Sequence, residues 1–106
     1  MKKEEPNTYI TIVGADNYVG IEALKPGTVL SLKKDKNNSY DDEAIMVTGQ
    51  SEACYGFVAN SVQTVARGTH SAGYIYNMIS DNSKCELKFI LNDSGIAILI
   101  SSKQED

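Results

Sequence analysis

Six strand-length runs rich in β-branched and aromatic residues are the feature that most constrains how this chain can fold. Such residues pack well on a half-buried pleated surface, and alternation with a period of two places one set of side chains on a single face of a strand. Leu30 with Leu32, and Ile45 with Val47, recur at that period. The predicted strands are YITIV (Tyr9 to Val13), VLSLK (Val29 to Lys33), AIMVT (Ala44 to Thr48), CYGFV (Cys54 to Val58), CELKFIL (Cys85 to Leu91) and IAILI (Ile96 to Ile100).

Turn residues between these runs indicate how the predicted strands connect. Pro26 presets φ at the first corner of a turn and Gly27 tolerates a positive φ at the second, which is the type II arrangement. Gly56 predicts a bulge or a close approach of backbone within the fourth strand. The turn formers NDSG (Asn92 to Gly95) predict a hairpin between the last two strands. One face of the fifth strand is predicted to carry Cys85, Leu87, Phe89 and Leu91.

Between the fourth and fifth strands the apolar spacing becomes helical. A first short helix is predicted to begin after Asn60, its cap, and to end at Gly68. A second is predicted from Ser71 to Ile79, with Thr69 or Ser71 as its cap. Six short strands with two late helices fit a small β-barrel, or a strongly coiled sheet with helices over one end.

The length of 106 residues suits one hydrophobic core and is too short for two ordinary domains. We expect a single domain over residues 9–100, a flexible N-terminal tail over 1–8 and a C-terminal tail over 101–106. The start MKKEEP lacks the apolar segment of a signal peptide, and the longest apolar run, Ile96 to Ile100, is far below the ~20 residues that span a bilayer. The expectation is a cytoplasmic protein with no membrane partner.

Cysteine and histidine are too scarce for most metal or nucleophile chemistry. Cys54 and Cys85 are predicted to be reduced thiols, and His70 is the only histidine. A closed zinc site needs about four Cys or His ligands, and the acids from Asp41 to Glu43 lack the spacing of a calcium loop. We therefore expect no metal, no cofactor and no catalysis. A metal-dependent hydrolase built on Asp41 or Asp42 remains the weakest alternative.

The sequence is acidic, which bears on its partners. Its net charge is -4, and between Tyr9 and Ile100 seven Lys and Arg residues face ten Asp and Glu residues. Nucleic-acid binders usually carry the opposite sign or a basic stripe. Composition alone therefore does not indicate a nucleic-acid partner.

The connection KKDKNNSYDDEAIMV (Lys33 to Val47) has two interpretations. In the first, Asn37, Asn38 and Ser39 form a turn that Asp41 closes with its own side chain. In the second, the connection is a site in which Tyr40 is an exposed stacking face, Asp41 accepts a hydroxyl, and Lys33, Lys34 or Lys36 lies near phosphate. Pattern alone favours the turn.

Two further stretches leave similar alternatives open. VGADNYVG (Val13 to Gly20) is a loop whose Tyr18 either packs on the barrel end or offers a second ring. Its glycine spacing does not match a dinucleotide fingerprint. Farther on, Arg67, His70 and Ser71 form either a cationic, hydrogen-bonding patch or a plain junction between helices. The plain junction is the more common outcome for such residues.

In family order and spacing, the segments VG…YVGI, LKPGTVLSL, KDKNNSYDDEAIMV and GFV resemble the HIRAN domain. That module is found alone in bacteria and fused to Swi/Snf-type ATPases in eukaryotes, and this chain resembles the stand-alone type. The match is good from Tyr9 to Val65 and looser from Arg67 to Ile100. The resemblance implies an OB-like six-stranded barrel that grips the 3′-OH end of single-stranded DNA, with aromatic rings stacked on the terminal base. The family's Asn-x-Tyr-Asp element stands here as Asn38, Tyr40 and Asp41, of which the aspartate reads the sugar hydroxyl.

Two departures from the family pattern support a second hypothesis. Asp16 and Asn17 stand where DNA-binding members have an Arg-Tyr pair, so that only Tyr18 remains of that motif, and Ala59 and Asn60 stand where they offer a lysine. An acid in place of a cation repels phosphate. The second hypothesis is therefore a protein-interaction or self-assembly module, including a homo-oligomer, whose DNA pocket has decayed.

Overall fold

The computed structural model describes residues 8–14, 20–49, 53–80, 83–91 and 94–100. The predicted tails, apart from Thr8 of the first, lie outside these residues, and so do Asp16, Asn17 and Tyr18. Among the described residues, none of the helices has the length and apolar character needed to cross a bilayer.

Six antiparallel strands form a closed barrel in the order β1-β4-β3-β2-β5-β6, and β6 pairs back onto β1. The predicted mainly-β, six-stranded barrel is confirmed, and every predicted strand is present. The last strand begins at Ser94 rather than Ile96 because Ser94 and Gly95 already pair with Leu91 and Ile90 of β5. The strands are β1 (Tyr9–Val13), β2 (Val29–Lys34), β3 (Ile45–Thr48), β4 (Cys54–Val58), β5 (Lys84–Leu91) and β6 (Ser94–Ile100).

The barrel interior is filled by the alternating residues of its strands. Leu30 and Leu32 of β2, and Ile45 and Val47 of β3, are at most 1% exposed, as their period of two predicts. Other strands add to the same cluster, and so does Ile75 from the segment between β4 and β5. Burial of this apolar surface supplies the main favourable free energy of folding.

Both predicted special glycines have the expected roles. Gly27 has φ 97°, and Thr28 N–H donates to the Lys25 carbonyl at 3.1 Å, which closes the turn before β2. Gly56 has φ 153°, and a Cβ on it would strike the Val13 carbonyl of the neighbouring strand. Close strand approach and left-handed backbone therefore coincide at Gly56, beside a register shift between β3 and β4.

The predicted apolar face of β5 is only half correct. Cys85 and Leu87 are fully buried, whereas Phe89 and Leu91 are 48% and 45% exposed. The β5–β6 register shifts between Leu87 and Phe89. One extra residue in a strand moves all later side chains to the opposite face, and this explains the exposure.

The first predicted helix is wrong. Residues 62–64 form a turn, across which Val65 N–H donates to the Ser61 carbonyl at 2.9 Å. Ser61, not Asn60, supplies the side-chain cap, because its Oγ accepts from Gln63 N–H at 3.1 Å. Val62 is 94% exposed, so no core contact holds a longer helix there.

The second predicted helix is present but short, as α1 (Ala72–Ile75). Ser71 caps it, with its Oγ accepting from Tyr74 N–H at 3.2 Å. A single 3₁₀ turn, Ile21–Ala23, was not predicted from the sequence.

Both cysteines are free thiols with different surroundings. Burial raises the pKa of Cys85 to about 12, and burial also raises the pKa of the half-exposed Cys54. The thiolate is the nucleophile that attacks a disulfide reagent, so a buried, protonated thiol is inert. We expect a disulfide reagent at pH 8 to modify Cys54 in the folded protein and both thiols in denaturant. Cys54→Ser provides the control: its folded form should show almost no reaction, and rapid modification of Cys85 there would contradict the packing described.

Candidate nucleic-acid interface

The connection between β2 and β3 is a hydrogen-bonded loop organised by Asn38. Its Oδ1 accepts from Tyr40 N–H at 2.8 Å and from Asp41 N–H at 3.0 Å. The loop is closed at its base by Asp35 N–H donating to the Ala44 carbonyl at 2.9 Å. The local turn inferred from sequence is thus present, but the side chain of Asn38 closes it, and the inferred closure by Asp41 is wrong because Asp41 Oδ1 accepts from Glu43 N–H instead. The turn also fixes the backbone on which the candidate site residues stand.

Tyr40 projects from this loop with 96% of its surface exposed. Its backbone is held by Asn38, whereas its ring is almost fully in solvent. A large apolar ring exposed on a fixed backbone offers a planar face at little conformational cost. Such a face can stack on a nucleobase.

The Asp41 carboxylate is half-buried and partly used within the protein. Oδ1 accepts from Glu43 N–H at 2.9 Å and from Asn60 Nδ2 at 3.3 Å. Oδ2 accepts from Asn60 Nδ2 at 3.1 Å, the one hydrogen bond it receives from the described residues. A carboxylate oxygen can accept two hydrogen bonds. Oδ2 therefore keeps the capacity to accept a hydroxyl.

Asn60 links this loop to α1. Its Oδ1 accepts from Gly73 N–H in α1 at 2.8 Å. Its Nδ2 donates to the Asp41 carboxylate and lies 3.4 Å from Glu43 Oε1. Sequence reasoning treated Asn60 as a helix cap and missed this role. The available signal was its type, since an amide both donates and accepts and can bridge two elements.

The three lysines of the predicted site occupy different positions. Lys33 and Lys34 follow one another in β2, so their side chains point to opposite faces. The Lys34 ammonium lies over the Tyr76 ring, 4.6 Å from its centroid. Lys36 is exposed in the turn at 36–37. These three lysines therefore do not converge on one point.

A cleft of about 480 Å³ begins at Asn60 and runs along the segment before α1. The rings of His70 and Tyr74 stack in it, with centroids 4.1 Å apart and planes 14° apart. The structure thus brings together the Arg67, His70 and Ser71 of the sequence and adds Tyr74, which sequence reasoning missed. The lining residues are Asn60, Ser61, Val62, Val65, Ala66, Arg67, Gly68, Thr69, His70, Ser71 and Tyr74.

The family model for the HIRAN domain matches residues 7–94 of the sequence. The chain belongs to the HIRAN domain family. HIRAN domains are in general binding modules that recognise single-stranded DNA or DNA ends. The match extends well past Val65, where the resemblance in the sequence becomes loose. No sequence among the curated proteins matches this HIRAN domain at a significant level.

Two solved structures share the fold of this HIRAN domain. The crystal structure of the HIRAN domain of human HLTF superimposes with a TM-score of 0.60 at 18% identity, covering 88% of this chain and 74% of that one. A crystal structure of a protein from Lactobacillus plantarum gives a TM-score of 0.61 at 19% identity, covering 87% of this chain and 88% of that one. At these identities the likeness shows the barrel fold.

Proposed function

We propose that this HIRAN domain binds the 3′-OH end of single-stranded DNA and catalyses no reaction. Tyr40 stacks on the terminal base, and Asp41 accepts the hydrogen bond of the sugar hydroxyl. Tyr18 is proposed as a second ring, and Lys33, Lys34 and Lys36 as a diffuse positive field for phosphates.

One observation carries the proposal. Asn38 holds the backbones of Tyr40 and Asp41 together, so a 96% exposed ring stands next to a carboxylate with acceptor capacity on Oδ2. A ring that stacks and an oxygen that accepts are the two contacts that a terminal nucleoside with a hydroxyl can satisfy together. The backbone N–H groups of Tyr40 and Asp41 are held by hydrogen bonds to Asn38, so little of the loop has to become ordered when the ligand binds.

The first test compares 3′-hydroxyl with 3′-phosphate oligonucleotides at low salt by fluorescence anisotropy. A hydrogen bond to a charged group contributes about 1.5–3 kcal/mol, so we expect a preference for the hydroxyl of about 10-fold or more. Asp41→Asn should reduce that ratio, since the amide no longer offers a charged acceptor and no longer repels the phosphate.

Asp42→Asn is the matched control, because it removes the same charge from the adjacent, exposed residue. It should leave the ratio near that of the wild type. If both variants lower the preference for the hydroxyl equally, Asp41 acts only through its negative charge and not through a hydrogen bond to the hydroxyl. A wild-type protein that does not distinguish the two ends would reject recognition of the hydroxyl.

A protein-interaction or self-assembly module is the second candidate, favoured by the net charge of -4 and by the exposed Phe89 and Leu91 on β5. Salt separates the two functions. Binding through phosphates weakens steeply as salt rises, whereas apolar association does not. We therefore expect affinity for the oligonucleotide to fall several-fold between roughly 50 and 200 mM salt. Titrations at the two salt concentrations measure this change.

A further inference from the structure

The cleft beside Asn60 stands on a fixed floor. Thr69 Oγ1 lies 2.7 Å from Thr11 Oγ1 of β1, and the buried Thr11 Oγ1 also accepts from Ala66 N–H at 3.1 Å. His70 N–H donates to the Tyr9 carbonyl at 2.8 Å. Three hydrogen bonds thus tie this segment to the barrel wall. The floor of the cleft is therefore held by hydrogen bonds within the protein.

The cleft walls carry groups suited to a phosphate and a base. Arg67 is exposed and makes no ion pair within the part of the chain that the structure describes. Ser61 Oγ and Ser71 Oγ each accept from a backbone N–H, which leaves each hydroxyl its own proton to donate. A guanidinium with hydroxyl donors is a typical phosphate-binding set.

Tyr74 supplies the second element. One face of its ring stacks on His70, and the side chain is nevertheless 58% exposed. The stack immobilises the ring, so that its remaining surface can receive another planar group with little loss of side-chain freedom. An exposed and pre-positioned ring is the feature by which single-stranded nucleic acids are held without sequence preference.

Asn60 joins the cleft to the Asp41 carboxylate. Its amide lies 3.1 Å from Asp41 Oδ2 and its side chain lines the cleft. A strand whose last hydroxyl reaches Oδ2 therefore has the cleft directly alongside. We propose that the cleft binds the nucleotide preceding the bound end, with Arg67 on its phosphodiester and Tyr74 on its base. This inference rests on the proposed recognition of a strand end at Tyr40 and Asp41.

The test uses hexathymidylate with an unchanged 3′-OH nucleotide and one of two changes next to it. One probe has an abasic residue at the second position from the 3′ end, and the other has a neutral methylphosphonate at the last internucleotide linkage. Wild-type protein should bind each at least about 5-fold more weakly than the unmodified strand.

Variants assign each loss to a side chain. Tyr74→Leu should bind the unmodified and abasic strands equally, and Arg67→Gln should bind the unmodified and methylphosphonate strands equally. Lys25→Gln, which removes the same charge from the exposed turn before β2, should behave as wild type. Thermal unfolding of each variant checks that the barrel is intact.

The outcomes separate the two proposals. A protein that prefers the 3′-hydroxyl but binds all three strands equally would overturn the cleft assignment alone. Losses that persist unchanged in Tyr74→Leu and Arg67→Gln would also overturn it. A protein that binds no strand at low salt would reject both the cleft and the end-binding site.

Discussion

Replacing Tyr40 with alanine is expected to weaken binding of a short 3′-OH single strand by about 5-fold to 150-fold. This range corresponds to ~1–3 kcal/mol for the loss of one base-stacking contact. The side chain is 96% exposed and supports no core packing, so the variant should fold as stably as the wild type. Anisotropy titrations and thermal unfolding of the same preparations measure the two quantities together.

Tyr40→Phe is the matched control for that result. It keeps the ring and removes only the hydroxyl, so affinity should stay within a few-fold of the wild type. If Tyr40→Ala binds the strand as tightly as the wild type, the base does not stack on this ring. If Tyr40→Phe loses as much as Tyr40→Ala, the hydroxyl rather than the ring makes the contact.

Gly56→Ala is expected to lower the free energy of unfolding by about 2–5 kcal/mol. The substitution adds left-handed strain of ~1–2 kcal/mol and an overlap with the Val13 carbonyl that costs about 1–3 kcal/mol. A backbone atom cannot move aside as a flexible side chain can. Since a domain of this size has ~5–15 kcal/mol in total, the loss is a large share of its stability. Urea unfolding followed by circular dichroism gives the difference.

Gly27→Ala separates strain from overlap. Gly27 has φ 97°, but nothing lies within 4 Å of the position of a Cβ there. We expect about 1–2 kcal/mol of destabilisation, from strain alone. If Gly56→Ala is as stable as Gly27→Ala or more stable, β1 and β4 adjust to the added methyl group.

The strands could be predicted because their information is local, whereas the pattern fitted both a barrel and a coiled sheet and the family resemblance implied the barrel. Alternation in β2 and β3, and the turn at Pro26 and Gly27, each depend on neighbours in sequence, and all were correct. The errors arise where tertiary structure overrides the local pattern. The register shift in β5 exposes Phe89, and the residues after Asn60 are held by bonds to β1 rather than by a helix.

The candidate site was predictable in part for the same reason. Asn38, Tyr40 and Asp41 lie within four residues, and their turn chemistry can be read from the sequence. The roles of Asn60 and Tyr74 could not be predicted from the sequence, because they depend on barrel closure. Asn60 reaches Asp41 across 19 positions, and only the pairing of β3 with β4 brings the two segments together.

The closed order of the strands limits how this protein can meet other chains. Across the described residues every strand is paired on both sides over part of its length, so no strand presents a fully open edge of amides and carbonyls. Donated strands and cross-β growth both need such a template. A tandem array or a crowded solution of this domain should therefore resist conversion to fibrils, and its partners must be recognised through side chains and loops.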